Sequence, residues 1–296
     1  MSTSSDTLAR PDRDLRALAP GVLSAVSFGC SDILTKLALM NGSDALTLAC
    51  IRGVLGTLFI TLWLRHTPPR RRHTPRERWI TCGIGLLFAF NLWLLFVAVR
   101  MVAVPIAILS YFIYPLLTGV AGAALGLERL GVAGAAAALV ALLGLALLLG
   151  TDASALAWLG ILFAVIAALC RVATLLITRA ALADADSRMT TWYSMLWSTL
   201  TLLVIAGAIH TPQVPHNWLG WGGVLGVTVC STTSMLALFA STVRIGAFRT
   251  ALVMNLEPVV ATLLSMLVLG ELLTPPQLAG GAVMLAALCA FQLRRG

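Results

Sequence analysis

Five ionisable residues lie inside long apolar stretches of this sequence, where a charge is expected to be costly. They are Asp32, Lys36, Arg52, Arg171 and Glu257. A charged side chain at the depth of a lipid bilayer usually faces a partner or a water-filled cavity, and it often marks the path of a solute, an ion or a proton. These residues are therefore the first candidates for a binding site.

The two arginines and two acids suggest different binding roles. Arg171 is the first choice for an anionic substrate group, because a guanidinium stays charged and can grip a carboxylate or phosphate with two hydrogen bonds. Glu257 suits a substrate amine or a proton, although a structural pair with Arg171 is equally compatible with the sequence. Asp32 and Lys36 are four residues apart on one helical face and can pair, or Lys36 can extend its ammonium group to the outer interface four residues away. Together with Arg52 they are predicted to form a coupling site or an ion pair.

Uncharged polar and aromatic residues in the same apolar stretches add candidates for a cavity lining. A tyrosine offers a ring for stacking and a hydroxyl for hydrogen bonding, whereas serines and asparagines can instead join helices. The candidates are Ser27, Ser31, Asn91, Trp93, Ser110, Tyr111, Tyr114 and Asn255. Pro115 and Pro258 are predicted to kink their helices, because proline lacks the N–H that would bond to a carbonyl about one turn earlier.

Nothing in the sequence indicates a metal, a cofactor or a catalytic centre. The six cysteines lie in apolar segments without CxxC spacing, which argues against a zinc site. The four histidines lie in predicted loops, and no buried nucleophile has a recognisable base beside it. We therefore expect neither metal nor cofactor, and no enzymatic activity.

The overall composition indicates an integral membrane protein. Hydrophobic residues make up 59% of the chain and charged residues 11%, whereas a soluble domain carries about 25% charged residues. The net charge of +8 comes mainly from arginines in short loops beside apolar stretches. This placement suits anionic lipid headgroups, and no nucleic-acid partner is expected.

Ten segments are long enough to span a bilayer, which takes about 20 mostly apolar residues. They are 17–40, 45–64, 79–99, 102–125, 130–150, 155–182, 190–209, 218–243, 247–270 and 275–293. If the N-terminus is cytoplasmic, sixteen arginines fall on the inner side and only Arg100 on the outer side. This bias supports ten helices with both termini in the cytoplasm.

Several prolines and charged residues recur in the sequence at an interval of 143 residues. The interval separates Pro115 from Pro258, Glu128 from Glu271, and Lys36 from Arg179. A unit of five helices enters the membrane from opposite sides in its two copies, so the copies are inverted. We predict an all-α integral membrane protein with ten transmembrane helices in two inverted five-helix repeats around a central cavity. Residues 1–16 form an N-terminal tail, 17–150 the first repeat, 151–293 the second, and 294–296 the C-terminal tail.

The sequence resembles the EamA branch of the drug/metabolite transporter superfamily. The resemblance rests on the two five-helix halves, the tract from Asn91 through Ala98 to Pro115 and Glu128, and its counterpart from Ala240 through Gly246 to Pro258 and Gly270-Glu271. It covers nearly the whole chain from Leu18 to Leu293. Within that branch the chain looks most like the YddG type, the bacterial exporters of aromatic amino acids. The fold that the family implies is a basket of helices around a central cavity.

These features lead to the expectation of a secondary transporter in the bacterial inner membrane. It would export small amphipathic metabolites, aromatic amino acids first, by alternating access, either as a facilitator or coupled to protons. Drugs, organophosphates or nucleotide sugars are the alternative substrates, and a channel-like facilitator is a further alternative. The oligomeric state stays open, because the GxxxG pairs of the sequence permit contact within one chain as readily as between two.

Overall fold

A computed structural model describes residues 11–69, 71–102, 104–128, 130–149, 158–209, 211–270 and 274–293. Glu271, most of the N-terminal tail and the C-terminal tail lie outside these ranges. Within them the regular elements are twelve helices. They are α1 Pro11–Met40, α2 Ala45–His66, α3 Pro75–Met101, α4 Val104–Tyr111, α5 Tyr114–Ala124, α6 Val132–Leu149, α7 Trp158–Ala181, α8 Ser187–Ile209, α9 Trp218–Ile245, α10 Ala247–Val253, α11 Leu256–Leu269 and α12 Pro275–Leu293.

The predicted all-α membrane fold is confirmed. In the described ranges nine helical segments are long and apolar enough to cross a membrane, when α4 with α5 and α10 with α11 each count as one span. The last helix, α12, supplies a shorter apolar segment over Pro275–Ala290. The third span begins at Pro75, four residues before the predicted start, because Thr74 and Glu77 cap its first turn reciprocally.

The fourth and ninth spans, expected to be continuous over 102–125 and 247–270, are each divided into two helices. The interruptions lie at Phe112–Ile113 and Met254–Asn255, and Phe112 and Asn255 are 143 residues apart. In each span a proline follows the interruption within the first turn of the next helix, where its missing N–H is tolerated. The divided spans therefore occupy the same position in the two repeats.

Helix packing follows the duplication. The first span α1 lies along α9, and the repeat-equivalent pair is α7 along α3. Helices α2 with α8 and α6 with α12 also pack together, and each of these pairs joins equivalent members of the two repeats. Ser24 and Ser234 fix the α1–α9 crossing, since each hydroxyl donates to the other residue's carbonyl oxygen, at 2.9 and 2.6 Å. The two inverted repeats thus interlock through shared helix pairs.

The bundle has two ends, which we name the Thr74 face and the Asp44 face after the residues that cap α3 and α2. Asp44 accepts hydrogen bonds from Leu46 and Thr47 of α2 and from Gln213 of the second repeat. The Thr74 face carries most of the arginines. Arg188 bridges there to Asp186 and donates to the Thr67 carbonyl. The arginine bias predicts that this face is cytoplasmic.

Candidate functional site

A cavity of about 240 Å³ lies between the two repeats. It brings together four of the five predicted charged residues, Asp32, Arg52, Arg171 and Glu257, although they belong to four different helices. Ser31, Asn91, Tyr111 and Tyr114 also line it, as do the side chains of Phe28, Thr35, Phe88 and Phe96 and several aliphatic residues. The site is therefore a mixed aromatic and charged chamber inside an apolar bundle.

A second cavity of about 580 Å³ adjoins the first towards the Asp44 face. The two cavities share Asp32, Tyr111 and Glu257 among their lining residues. Lys36 and Pro258 line only the second cavity, whose polar lining also includes Thr262, Ser265 and Gln277. Its walls come from α1, α4 and α11 and from the ends of α6 and α12. The two cavities thus adjoin at shared residues, and the larger one lies nearer the Asp44 face.

A buried apolar cluster fills the opposite side of the chamber. Ile60, Ile84, Leu182, Met195, Met235 and Phe239 form this cluster towards the Thr74 face. Phe28 and Phe88 pack on it from the cavity side. These two rings are the floor of the chamber, and a smaller cavity of about 30 Å³ adjoins them and reaches Met195 and Met235 of the cluster.

Arg171 lies in the middle of α7 and is 5% exposed. Its guanidinium carbon is 5.5 Å from the ring centre of Phe28, 5.7 Å from Phe88 and 5.8 Å from Tyr114. Aromatic faces attract a cation electrostatically, and more strongly where water is excluded. The three rings therefore hold the charge in place at the floor of the chamber.

The alternative of a structural Arg171–Glu257 bridge is not formed in this conformation. In the described part of the chain the salt bridges lie elsewhere, at Arg71–Glu77 and Arg188–Asp186. Arg171 and Glu257 instead line the same cavity, with three aromatic rings around the guanidinium. Both charges therefore remain available to a third group between them.

Two buried polar atoms at the site lack hydrogen-bond partners among the described residues. They are Arg171 Nε and the hydroxyl oxygen of Tyr114, whose side chain is 1% exposed. A buried donor without an acceptor costs roughly 1–3 kcal/mol. An anionic oxygen placed beside the Tyr114 ring and the guanidinium would satisfy both atoms.

Asp32 and its predicted partners are distributed along the cavity. Asp32 is exposed to solvent although it lies well inside α1, since both cavities reach it. Arg52 lines the first cavity. Lys36 lies one helical turn after Asp32, nearer the Asp44 face, and lines the second cavity. Asn91 lines the first cavity and also donates to the Ala167 carbonyl oxygen at 2.6 Å, which joins α3 to α7.

Four residues that the sequence suggested for the lining face neither cavity. Ser110 donates to the Ile106 carbonyl of its own helix at 2.8 Å, and Asn255 donates to Leu252 at 3.1 Å beside the helix interruption. Ser27 is buried, and Trp93 packs edge-on against Phe90. Local backbone acceptors and helix rotation, which spacing alone did not resolve, account for these placements.

Phe28 and Phe88 were missing from the sequence-based selection. A phenylalanine in an apolar helix has no feature that separates a lipid-facing ring from a cavity-facing one. Phe28 nevertheless lies four residues before Asp32 and three before Ser31, so helical spacing puts it on the polar side of α1. Phe88 has the same kind of signal, since it lies three residues before Asn91 on α3.

Comparison with known proteins gives a family and a fold. Residues 16–150 and 158–291 match the model of the EamA-like transporter family. No curated protein matches the chain. A solved structure titled "Crystal structure of protein" superimposes with a TM-score of 0.79 at 19% identity, covering 94% of this chain and 98% of the other. At that identity the likeness shows the shared fold alone.

Proposed function

Since the chain belongs to the EamA-like transporter family, whose members carry small solutes across membranes, we propose that it is a secondary transporter for small amphipathic metabolites. Aromatic amino acids are the proposed substrates, and export across a bacterial inner membrane is the proposed direction, with both termini in the cytoplasm. This is the YddG-type activity that the sequence suggested.

One observation carries the substrate proposal: the buried Arg171 lines the cavity with three rings around its guanidinium, and its Nε has no hydrogen-bond partner among the described residues. A substrate carboxylate would bond to Arg171 and to the Tyr114 hydroxyl. The substrate ring would then stack among Phe28, Phe88 and the tyrosines, where offset and edge-on aromatic contacts are favourable. Glu257 and Asp32 would receive the ammonium group.

The charges of the lining also suit a zwitterion. The first cavity carries two arginines and two carboxylates, so a solute with one charge of each sign leaves the chamber balanced. Lys36 on the second cavity adds a third cation. That excess favours organophosphates or nucleotide sugars as the second candidate class, because a phosphate brings more negative charge than a carboxylate.

The arrangement of the divided spans supports alternating access. Helices α5 and α10 pack together near the Thr74 face. Their repeat-equivalents, α11 and α4, line opposite sides of the 580 Å³ cavity near the Asp44 face. One symmetry-related contact is therefore closed while the other is open. Exchanging the two arrangements between the repeats would close the Asp44 face and open the Thr74 face, as carriers with inverted repeats do.

Transport by the purified protein in proteoliposomes tests the assignment. Vesicles that contain the protein and are loaded with labelled phenylalanine or tryptophan should lose label faster than protein-free vesicles. The Arg171→Ala variant should abolish this difference. Trp79→Ala is the matched control, since Trp79 is exposed on the bundle surface and should retain transport. Amino acid efflux equal to that of protein-free vesicles would overturn the substrate assignment, and faster exchange of sugar phosphates would select the second class.

Coupling to protons is tested in the same vesicles. Asp32 and Glu257 line both cavities and are the groups that could carry a proton with the substrate. An imposed pH gradient should change the rate of net transport if either does. A rate that is independent of the gradient selects facilitated transport.

A further inference from the structure

Glu128 joins the two repeats at the Thr74 face. Its carboxylate accepts hydrogen bonds from the backbone N–H groups of Ala247 and Phe248, at 2.5 and 2.8 Å. These are the first residues of α10, whereas Glu128 follows the end of α5. Gly126, at φ +68°, turns the chain there and brings Glu128 under α10. One side chain thus spans the contact between the two divided spans.

Two glycines, Gly246 and Gly119, bring α10 close to Glu128 and to α5. Gly246 has φ +94°, a conformation that favours glycine, and a methyl group on it would lie 2.5 Å from Glu128 Oε1. Gly119 of α5 lies so close to the Phe248 ring that a methyl group there would approach it to 2.8 Å. The carboxylate and the close packing together hold α5 against α10.

We propose that Glu128 is the latch of the Thr74 face: its hydrogen bonds to α10 hold that face shut, and their release sets the balance between the two conformations of the carrier. The inference rests on the alternating-access part of the proposed function and is independent of which solute is carried. If the Thr74 face opens by separating α5 from α10, the Glu128 carboxylate must leave both N–H groups, because it cannot follow both helices.

The repeat makes this latch unequal at the two faces. The residues 143 positions before Ala247 and Phe248 are Val104 and Pro105. Proline has no N–H group, so an acceptor at the Asp44 face can find at most one of the two donors that Glu128 uses. The Thr74 face is consequently the more firmly closed of the two. This agrees with a structure in which α5 and α10 touch while α4 and α11 border a cavity.

Hydrogen exchange of the protein in lipid nanodiscs tests the latch without any substrate. Glu128→Gln removes the charge and one of two acceptors, and we expect amide exchange to rise about tenfold in two separate segments, 114–124 of α5 and 247–253 of α10. Counterflow transport should show a changed maximal rate. Glu77→Gln is the matched control, because Glu77 also caps a helix at this face but, among the described residues, its carboxylate bonds to Thr74 and Arg71 alone. It should leave both segments unchanged.

The proposal is overturned if exchange becomes faster only in the first residues of α10, while exchange in α5 and the transport rate stay as in the wild type. Glu128 would then be a local helix cap. Unchanged exchange in both segments would also overturn the proposal. If Glu128→Gln does not fold, Glu128→Asp keeps the charge but shortens the reach by one methylene, and the same two segments are compared. Because exchange needs no transported solute, a failed latch is distinguishable from a failed substrate assignment.

Discussion

At the scale of single residues, the site is defined by polar atoms for which the described part of the chain supplies no hydrogen-bond partner. Most buried polar groups in folded proteins have partners, so an unpartnered arginine nitrogen and tyrosine hydroxyl in one chamber call for an explanation. Three ring faces stabilise the cation of Arg171 without using up its hydrogen bonds. The guanidinium can therefore stay charged and buried while its Nε–H remains a donor for a ligand.

Tyr114→Phe tests this explanation. Removing an unpartnered buried hydroxyl should leave the melting temperature unchanged or raise it, because no hydrogen bond is lost. The apparent KM for the transported amino acid should rise by about ten- to a hundredfold, because a hydrogen bond to a charged group contributes roughly 1.5–3 kcal/mol. Tyr193→Phe is the control, since Tyr193 lies beside His73 at the Thr74 face, outside both cavities. A lower melting temperature with an unchanged KM would contradict the assignment.

A second residue-scale prediction concerns His73 in the loop before α3. Its side chain is 3% exposed, its Nε2 lies 3.2 Å from the Thr190 hydroxyl, and its ring contacts Tyr193. Burial lowers the pKa of His73 below its ordinary 6.5, although the carboxylates of Glu77 and Asp186 oppose the shift. The native protein therefore holds this ring neutral, whereas the unfolded chain protonates it more readily.

The sign of the pH effect follows from that difference. The stability contributed by the neutral ring is present above pH 6.5 and is lost as the pH falls from 6.5 towards the lower native pKa. Melting curves between about pH 7.5 and pH 5.5 should show a decrease that is smaller in His73→Gln, whose side chain does not titrate. His66→Gln, at an exposed position, should follow the wild type. An identical decrease in all three proteins would exclude His73 as its source.

At the scale of helices, the divided spans place backbone and side chains around the chamber. Tyr111 and Tyr114 flank the interruption of the first divided span, and Glu257 follows that of the second. Tyr114 and Glu257 are 143 residues apart, so equivalent positions supply a phenol from one repeat and a carboxylate from the other. The chamber is thus symmetric in its helices and asymmetric in its chemistry, which suits the proposed zwitterionic substrate.

The crossing of α1 and α11 should be sensitive to a single added methyl group. At Gly29 a methyl carbon would lie 2.8 Å from Val260 and 2.9 Å from the Glu257 carbonyl oxygen, so the helices must move apart. We expect Gly29→Ala to cost about 1–3 kcal/mol and to weaken substrate affinity by displacing Glu257. Gly83→Ala in α3 is the control, because nothing lies within 4 Å of the added carbon. It should be neutral or slightly stabilising in melting experiments.

At the scale of the whole molecule, the two faces are in different states. The 580 Å³ cavity lies between the chamber and the Asp44 face, whereas on the other side the apolar cluster packs beneath Phe28 and Phe88 and the cavity there measures only about 30 Å³. A channel would need both sides open at once. Two inverted repeats that share one sequence plan can instead exchange their arrangements, which exposes the same residues to each side in turn.

Counterflow distinguishes these behaviours. Unlabelled substrate inside the vesicles should accelerate the entry of labelled substrate several-fold, because a carrier returns faster when loaded, and initial rates should saturate with concentration. A pore shows neither effect. Rates that grow linearly with concentration and ignore the solute on the other side would contradict alternating access and revive the channel-like alternative.

The sequence by itself determined the membrane fold, the duplication and four of the charges in the chamber. Apolar length and the cost of a buried charge act locally along the chain, so Asp32, Arg52, Arg171 and Glu257 were identifiable without a fold. The tertiary structure decided which groups meet. Ser110 and Asn255 donate hydrogen bonds to nearby backbone carbonyls. Phe28 and Phe88 pack their rings against the Arg171 guanidinium. Rotation of each helix about its axis and the crossing of distant helices fix such contacts, and neither is written in the spacing of residues along one segment.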